Sequence, residues 1–129
     1  MNILLDTHTA LWLVDRHNNF SARISALVLD NKYSCFLSMV STWEIAIKLS
    51  IGKITIDGGI QKFHTEIEQS PISILPISQQ AIKRVVTLPH IHKDPFDRLL
   101  ITTAITENMT ILTKDENIHK YEVSAITLP

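Results

Sequence analysis

Carboxylates set among apolar residues are the first feature of this sequence that calls for chemistry. Asp6 ends the apolar run "NILLD", and Asp115 follows "MTILT" by two residues. Glu44 lies near the head of "STWEIAIKLSIG", while Asp94 and Asp97 bracket Pro95 at the head of "DPFDRLLITTAITEN". Charge placed beside apolar residues is costly unless something compensates it. Asp6, Glu44, Asp97 and Asp115, drawn together, suit a hard divalent cation such as Mg²⁺ or Mn²⁺, held by a few carboxylates and by water. Without a cation they would repel one another, and some would take up protons.

Each acid also has an ordinary structural explanation. Asp94-Pro95-Phe96-Asp97 fits a helix start, with Asp94 as N-cap, proline at the first helical position and an acid in the first turn. "STWE" has the form of a capping box between Ser41 and Glu44, and Glu44 is also spaced to pair with Lys48 one turn on. Asp115 fits ordinary loop chemistry, and Asp6 fits a cap on the helix that follows it. The argument for a site is their joint placement, because independent caps have no reason to gather in one region. Thr7 and Thr113 stand one or two residues from candidate ligands, where a hydroxyl can orient a carboxylate or a bound water. His8, His90 and His92 offer only an H-x-H spacing with no second cluster, which is poor support for zinc. Trp12 and Trp43 read as core or interface residues rather than base-stacking platforms.

The elements that must position these groups follow from periodicity. "NILLD", "YSCFLS", "ISILPI", "MTILT" and "EVSAIT" read as short strands. Between them, "TALWLV", "SARISALVLDN" with Ser21 as N-cap, "STWEIAIKLSIG", "GIQKFHTEIEQ", "SQQAIKRVVTL" and "DPFDRLLITTAITEN" carry helical spacing. Strands alternating with helices predict an α/β fold with a mainly parallel sheet and helices on both faces. In such a sheet, a residue just after a strand and a residue opening the next helix share the carboxyl edge, where ligands bind. Asp6 and Asp115 take the first kind of position; Glu44 and Asp97 take the second.

The bulk composition narrows the function classes. At 129 residues, 45% hydrophobic and 19% charged, the chain fits one folded domain spanning 1–129 with a real core. Three glycines are too few for a Gly-rich nucleotide-binding loop. The lone cysteine, Cys35, allows no intrachain disulfide, is expected to pack as a small hydrophobe, and suits a reducing compartment. "MNILLDTHTA" reads as neither a signal peptide nor a membrane span, so the expected location is cytoplasmic with no membrane partner. A net charge of −1 argues against broad nonspecific nucleic-acid binding, although Lys83, Arg84, Lys93 and Arg98 form a local basic run.

Taken in order, "LLDTHTALWLV", "STWEIAIKLSIGKI", "LPHIHKDPFDRLLITTA" and "ILTKDENIHKY" make the chain resemble PIN-domain proteins, specifically the VapC-like toxins of bacterial toxin–antitoxin pairs. The resemblance spans nearly the whole length. It departs at "LLITTA", where relatives commonly carry "LIAQA", inside a helix and away from the acids.

The resemblance implies a three-layer α/β/α sandwich, usually dimeric, and a Mg²⁺- or Mn²⁺-dependent endoribonuclease that leaves 5′-phosphate and 3′-hydroxyl ends. Carried over by position, its four acids are Asp6, Glu44, Asp97 and Asp115, with Thr113 as the hydroxyl residue two before the last. Asp94 and Arg98 belong to its "DPFDR" signature. RNA is the implied substrate and an antitoxin the implied protein partner, with Arg98, Lys93 and Lys48 as candidate contacts to the RNA backbone. Two other functions compete. A phosphoacceptor receiver domain would need an acidic pair after the first strand, an Asp after the third and a Lys after the fifth, and these are missing. A non-catalytic RNA- or protein-binding module of the same fold is the other, and metal-dependent turnover separates it from the enzyme.

Overall fold

Short apolar runs become strands here because each is bounded by polar, cap-forming residues. The computed structural model describes residues 1–127, Thr127 by its backbone alone. Its strands are β1 (Asn2–Leu5), β2 (Ser34–Ser38), β3 (Ser73–Leu75), β4 (Thr110–Thr113) and β5 (Ala125–Thr127). They form one five-stranded sheet in the order β3-β2-β1-β4-β5, and every pairing is parallel. The helices are α1 (Thr7–Val14), α2 (Ser21–Leu29), α3 (Met39–Ser50), α4 (Gly59–Glu68), α5 (Gln79–Val85) and α6 (Pro95–Glu107), with a 3₁₀ turn at Glu116–Lys120. The α/β sandwich expected from the alternation is therefore present, and its sheet is parallel throughout.

The two-residue strand period divides the core cleanly. Ile3, Leu5, Cys35, Leu37 and Leu112 face one side, where they meet Ile24, Ile45, Phe63 and Ile67 from the helices. Leu4 and Ile111 face the other, against Leu88, Leu100, Ile101 and Ala104. Both faces of β1 are thus fully covered, as expected for a central strand in a parallel sheet. Cys35 is buried in the first of these clusters, and burial pushes its thiol pKa up.

Strand order decides where a ligand fits. The chain winds outward from β1 through β2 to β3, then returns to β1's other side with β4 and continues to β5. The direction of winding reverses between β1 and β4, and the carboxyl ends at such a reversal open into a crevice. Asp6 and Asp115 follow these two strands.

Two helix caps differ from the sequence reading. Ser21 is the first residue of α2 rather than its N-cap; its hydroxyl donates to the Leu13 carbonyl at 3.0 Å, tying α2 to the end of α1. Helix α3 begins at Met39 with Ser38 as cap, its hydroxyl accepting from the Val40 N–H at 3.0 Å. There is accordingly no Ser41–Glu44 capping box. Glu44 lies in the second turn, which sets its carboxylate deeper than a first-turn acid. The α6 start is as the sequence implied: Asp94 caps it, Pro95 is its first residue and Asp97 lies in its first turn.

Candidate metal centre

Asp6 is pinned by its own helix. Its Oδ1 accepts from the Thr9 N–H at 2.8 Å, making it the N-cap of α1, and the residue is only 5% exposed. Thr7, next along, donates its hydroxyl to Glu44 Oε1 at 2.7 Å and lies 3.0 Å from the Ser41 hydroxyl. The other Glu44 oxygen, Oε2, meets Lys48 Nζ at 2.6 Å across one turn of α3. That hydrogen bond to Glu44 is the main reason the Lys48 ammonium has a raised pKa; the charges of Glu44, Asp94 and Asp97 add to it against the opposing effect of burial. Both Glu44 oxygens thus have partners, although the residue is almost wholly buried.

Asp97 and Asp115 share a different partner. The Asp94 carboxylate accepts from the Phe96 N–H at 2.8 Å and the Asp97 N–H at 3.2 Å, so the cap fixes where Asp97 starts its helix. Asp115 caps the 3₁₀ turn through the Asn117 N–H at 2.9 Å, and its own N–H donates to the buried Thr113 hydroxyl at 2.9 Å. Between the two carboxylates lies the His92 ring. Its Nε2 is 2.7 Å from Asp115 Oδ2 and 3.1 Å from Asp97 Oδ2. Helix α6 and the end of β4 thereby deliver two acids to one point.

The electrostatics distinguish these two acids. Burial pushes the Asp97 carboxyl up to about 7, assisted by the charges of Asp94, Glu44 and Asp6 and opposed by His92. Burial would also raise Asp115, but the Asn117 N–H, the His92 hydrogen bond and the charges of His92 and His8 outweigh it and hold that carboxyl below its ordinary value. Burial is the larger cause of the Asp97 shift, and the charges of Asp94, Glu44 and Asp6 add the repulsion expected among neighbouring acids. His92, Asp97 and Asp115 each bring a ligand-type atom within 4.8 Å of the others. Oxygen donors from separate elements, crowded enough to hold a proton, fit a hard divalent cation.

The candidate RNA-contact residues do not share one fate. Arg98 is 6% exposed and turned inward. Its guanidinium donates to the carbonyls of Pro89 at 2.8 Å, Leu88 at 3.0 Å, Val85 at 3.3 Å and His92 at 3.4 Å. Its two terminal nitrogens are thus engaged by backbone carbonyls, and Arg98 holds the loop before α6. Lys48 is committed to Glu44, and Lys93 is exposed beside the cluster.

Sequence reasoning weighed His92 only as a poorly supported zinc ligand and passed over Tyr121. The Tyr121 hydroxyl accepts from the N–H groups of Ile91 at 3.0 Å and His92 at 2.6 Å, and donates to the Pro89 carbonyl at 2.8 Å. No local spacing announces a contact between residues this far apart. The one available signal was that His92 stands two residues before the Asp94 cap. Trp43 is largely exposed and meets Phe96 edge-on, with ring centroids 5.3 Å apart. Trp12 stacks on Phe20, with centroids 5.2 Å apart.

Comparison with known proteins places this geometry. The model of the PIN domain family matches residues 3–123. A chain in the structure of VapBC2 from Rickettsia felis, bound to a DNA fragment from their promoter, superposes with a TM-score of 0.76 at 17% identity, covering 98% of each chain. A chain of VapBC-1 from nontypeable Haemophilus influenzae gives 0.68 at 18% identity, again over 98% of each. A chain of a toxin-antitoxin complex from Klebsiella pneumoniae gives 0.62 at 20% identity, over 97% of this chain and 96% of that one. No curated protein matches the chain. At these identities the solved structures speak for the fold, whereas the family match takes in both strands and both helices that carry the acids: the chain belongs to the PIN-domain family.

Proposed function

We propose that this protein is a divalent-metal-dependent endoribonuclease, acting as the toxin of a toxin–antitoxin pair. The observation that carries the reading is the convergence of Asp97 and Asp115 on one point beside Asp6 and Glu44, at the crevice between β1 and β4. Membership of the PIN family and a fold shared with a chain of a toxin-antitoxin complex support it.

Asp97 and Asp115 are the residues best placed to hold Mg²⁺ or Mn²⁺, with Asp6 and Glu44 completing the acidic cluster. When bound, such an ion lowers the pKa of a water and offsets negative charge growing on the leaving oxygen of an RNA phosphodiester. The chain's own residues then have distinct tasks. Asp94 sets the start of α6 and hence where Asp97 points. Thr113 holds the Asp115 backbone, and Thr7 orients Glu44. Lys48 offsets the Glu44 charge, which lessens the repulsion that an acidic cleft exerts on a phosphate. Lys93 is the exposed cation left to approach the RNA backbone.

An antitoxin as protein partner, a homodimer and a cytoplasmic location belong to the same proposal. Among the described residues, no helix is long and apolar enough to cross a membrane. The test is cleavage of a mixed small-RNA pool with Mg²⁺, with Mn²⁺ and with EDTA, with product ends mapped. Discrete cuts that need the metal and carry 5′-phosphates support the enzyme. Retained RNA binding without cutting by folded, metal-supplied protein moves the assignment to a non-catalytic binding module.

A further inference from the structure

We propose that His92 is a positioning residue that stands in for the cation: its Nε2–H holds Asp97 and Asp115 together in the metal-free protein and gives them up when the ion binds. The inference rests on the metal-site reading above and adds to it a residue from outside the acid set.

The direction of the ring hydrogen bonds carries the argument. His92 Nδ1 accepts from the Asp94 backbone N–H at 3.1 Å. An acceptor at Nδ1 puts the ring proton on Nε2. Nε2 hydrogen-bonds Asp115 Oδ2 at 2.7 Å and lies 3.1 Å from Asp97 Oδ2, so this proton is given to Asp115 with the Asp97 oxygen close beside it. A protonated nitrogen has no lone pair for a metal, and in this tautomer His92 is not a ligand. Making it one would move the proton to Nδ1, opposite the Asp94 N–H, and would break the bond next to the cap of α6. Cation and Nε2–H therefore compete for the same two oxygens.

The ring is also held in place by buried polar contacts. Tyr121 and Arg98 are each only 6% exposed. The Tyr121 hydroxyl takes the His92 N–H at 2.6 Å, and Arg98 reaches the His92 carbonyl at 3.4 Å. Both side chains also bond the Pro89 carbonyl, each at 2.8 Å. A loop clamped from two sides presents the imidazole in one orientation at little further entropy cost. It gives the metal-free cluster a hydrogen bond where electrostatics asks for positive charge.

Linkage then fixes the sign. An interaction made only in the metal-free state weakens metal binding by whatever it contributes there. Hydrogen bonds to charged groups are worth enough that losing this one should tighten binding by about tenfold.

The test is calorimetric titration of Mn²⁺ into the metal-stripped full chain and its His92→Asn and His92→Gln variants. Asn places an oxygen near the position of Nδ1, so it can still accept from the Asp94 N–H, but it is too short to reach the carboxylates. Gln places its amide nitrogen near Nε2 and can still donate to them. His92→Asn should bind Mn²⁺ about tenfold more tightly and gain more in Tm from it; His92→Gln should stay near the parent. Unchanged or weaker Mn²⁺ binding by a folded His92→Asn variant overturns the proposal. A second reading needs no variant: ¹⁵N NMR of the parent protein with added Mg²⁺. A hydrogen-bonded Nε2–H that leaves its downfield position while the nitrogen stays protonated supports the exchange. A deprotonated Nε2 with the shift of a coordinated nitrogen, or no change at Nε2 in Mg²⁺-bound protein, defeats it. If neither the parent nor His92→Asn takes up Mn²⁺, the metal-site reading falls and this inference falls with it; parent binding with the wrong variant response sinks the inference alone.

Discussion

Glu44 and Asp97 lie within electrostatic reach of one another but are balanced by different chemistry. Glu44 has a cation, Lys48, on its own helix and a hydroxyl, Thr7, on its other oxygen. Asp97 has an imidazole shared with Asp115, and its carboxyl is pushed up to about 7 by burial and by Asp94, Glu44 and Asp6. One side of the cleft is neutralised by the chain itself, and the other is left short of positive charge. Under the proposed function, the need for an ion falls on the Asp97–Asp115 side.

The largest effect should come from removing that need. Asp97→Asn should lower metal-dependent RNA cleavage by about a thousandfold, with no loss of Tm in the metal-free protein because the amide removes a repelled charge. Near-normal cleavage would remove Asp97 from the site. Next, Arg98→Ala should cost about 3 kcal/mol in urea denaturation by leaving several backbone carbonyls without a donor. Arg98→Lys should recover little of it, since one ammonium cannot span the same carbonyls. If Arg98→Ala melts like the parent, the loop under His92 does not depend on that clamp.

Lys48→Met addresses the balanced side. It should cost about 1 kcal/mol and, by leaving Glu44 without its cation, push the Asp97 carboxyl further up in a ¹³C-NMR titration. An unmoved Asp97 midpoint would show that the two sides are electrically separate. A further effect is on pH dependence. Asp97 is raised from 3.8 to about 7 in the fold, so the folded chain keeps a proton that the unfolded chain has released. Stability of the metal-free protein should accordingly fall as pH rises between roughly 4 and 7, and level off above. Asp115, held low, acts in the opposite sense at lower pH: its contribution is present above the ordinary carboxylate value and is lost as pH falls through its folded value. Chemical denaturation across pH should show the decline in the parent and lose it in Asp97→Asn; a parent that gains stability from pH 4 to 7 contradicts the assignment.

Much of this was legible before any coordinates. The apolar runs alternate with helical spacing so regularly that a parallel sheet, and with it a shared carboxyl edge, follows from local periodicity. The DPFD start of α6 was equally plain, because a cap, a proline and a first-turn acid act within a few residues of one another. Ser41 was misread for a related reason: two serines lie near the head of α3, and the end of strand β2 at Ser38 selected the earlier one. Arg98 announced its charge but not its direction. A long flexible side chain serves solvent or backbone equally well until the loop around it is known, and here that loop turns four carbonyls toward it.

The sequence by itself determined the class of fold, the order of its elements and the set of acids at its edge, since all three depend on local pattern and on one rule of parallel sheets. Only the tertiary structure decided how those acids are partnered. It bent the chain before α6 so that His92 lies between Asp97 and Asp115, and it closed Tyr121 and Arg98 onto that bend from distant parts of the chain. Such pairings depend on distances across the fold. Hydrogen bonds act over about 3 Å, and no spacing along the chain encodes which residues will come that close.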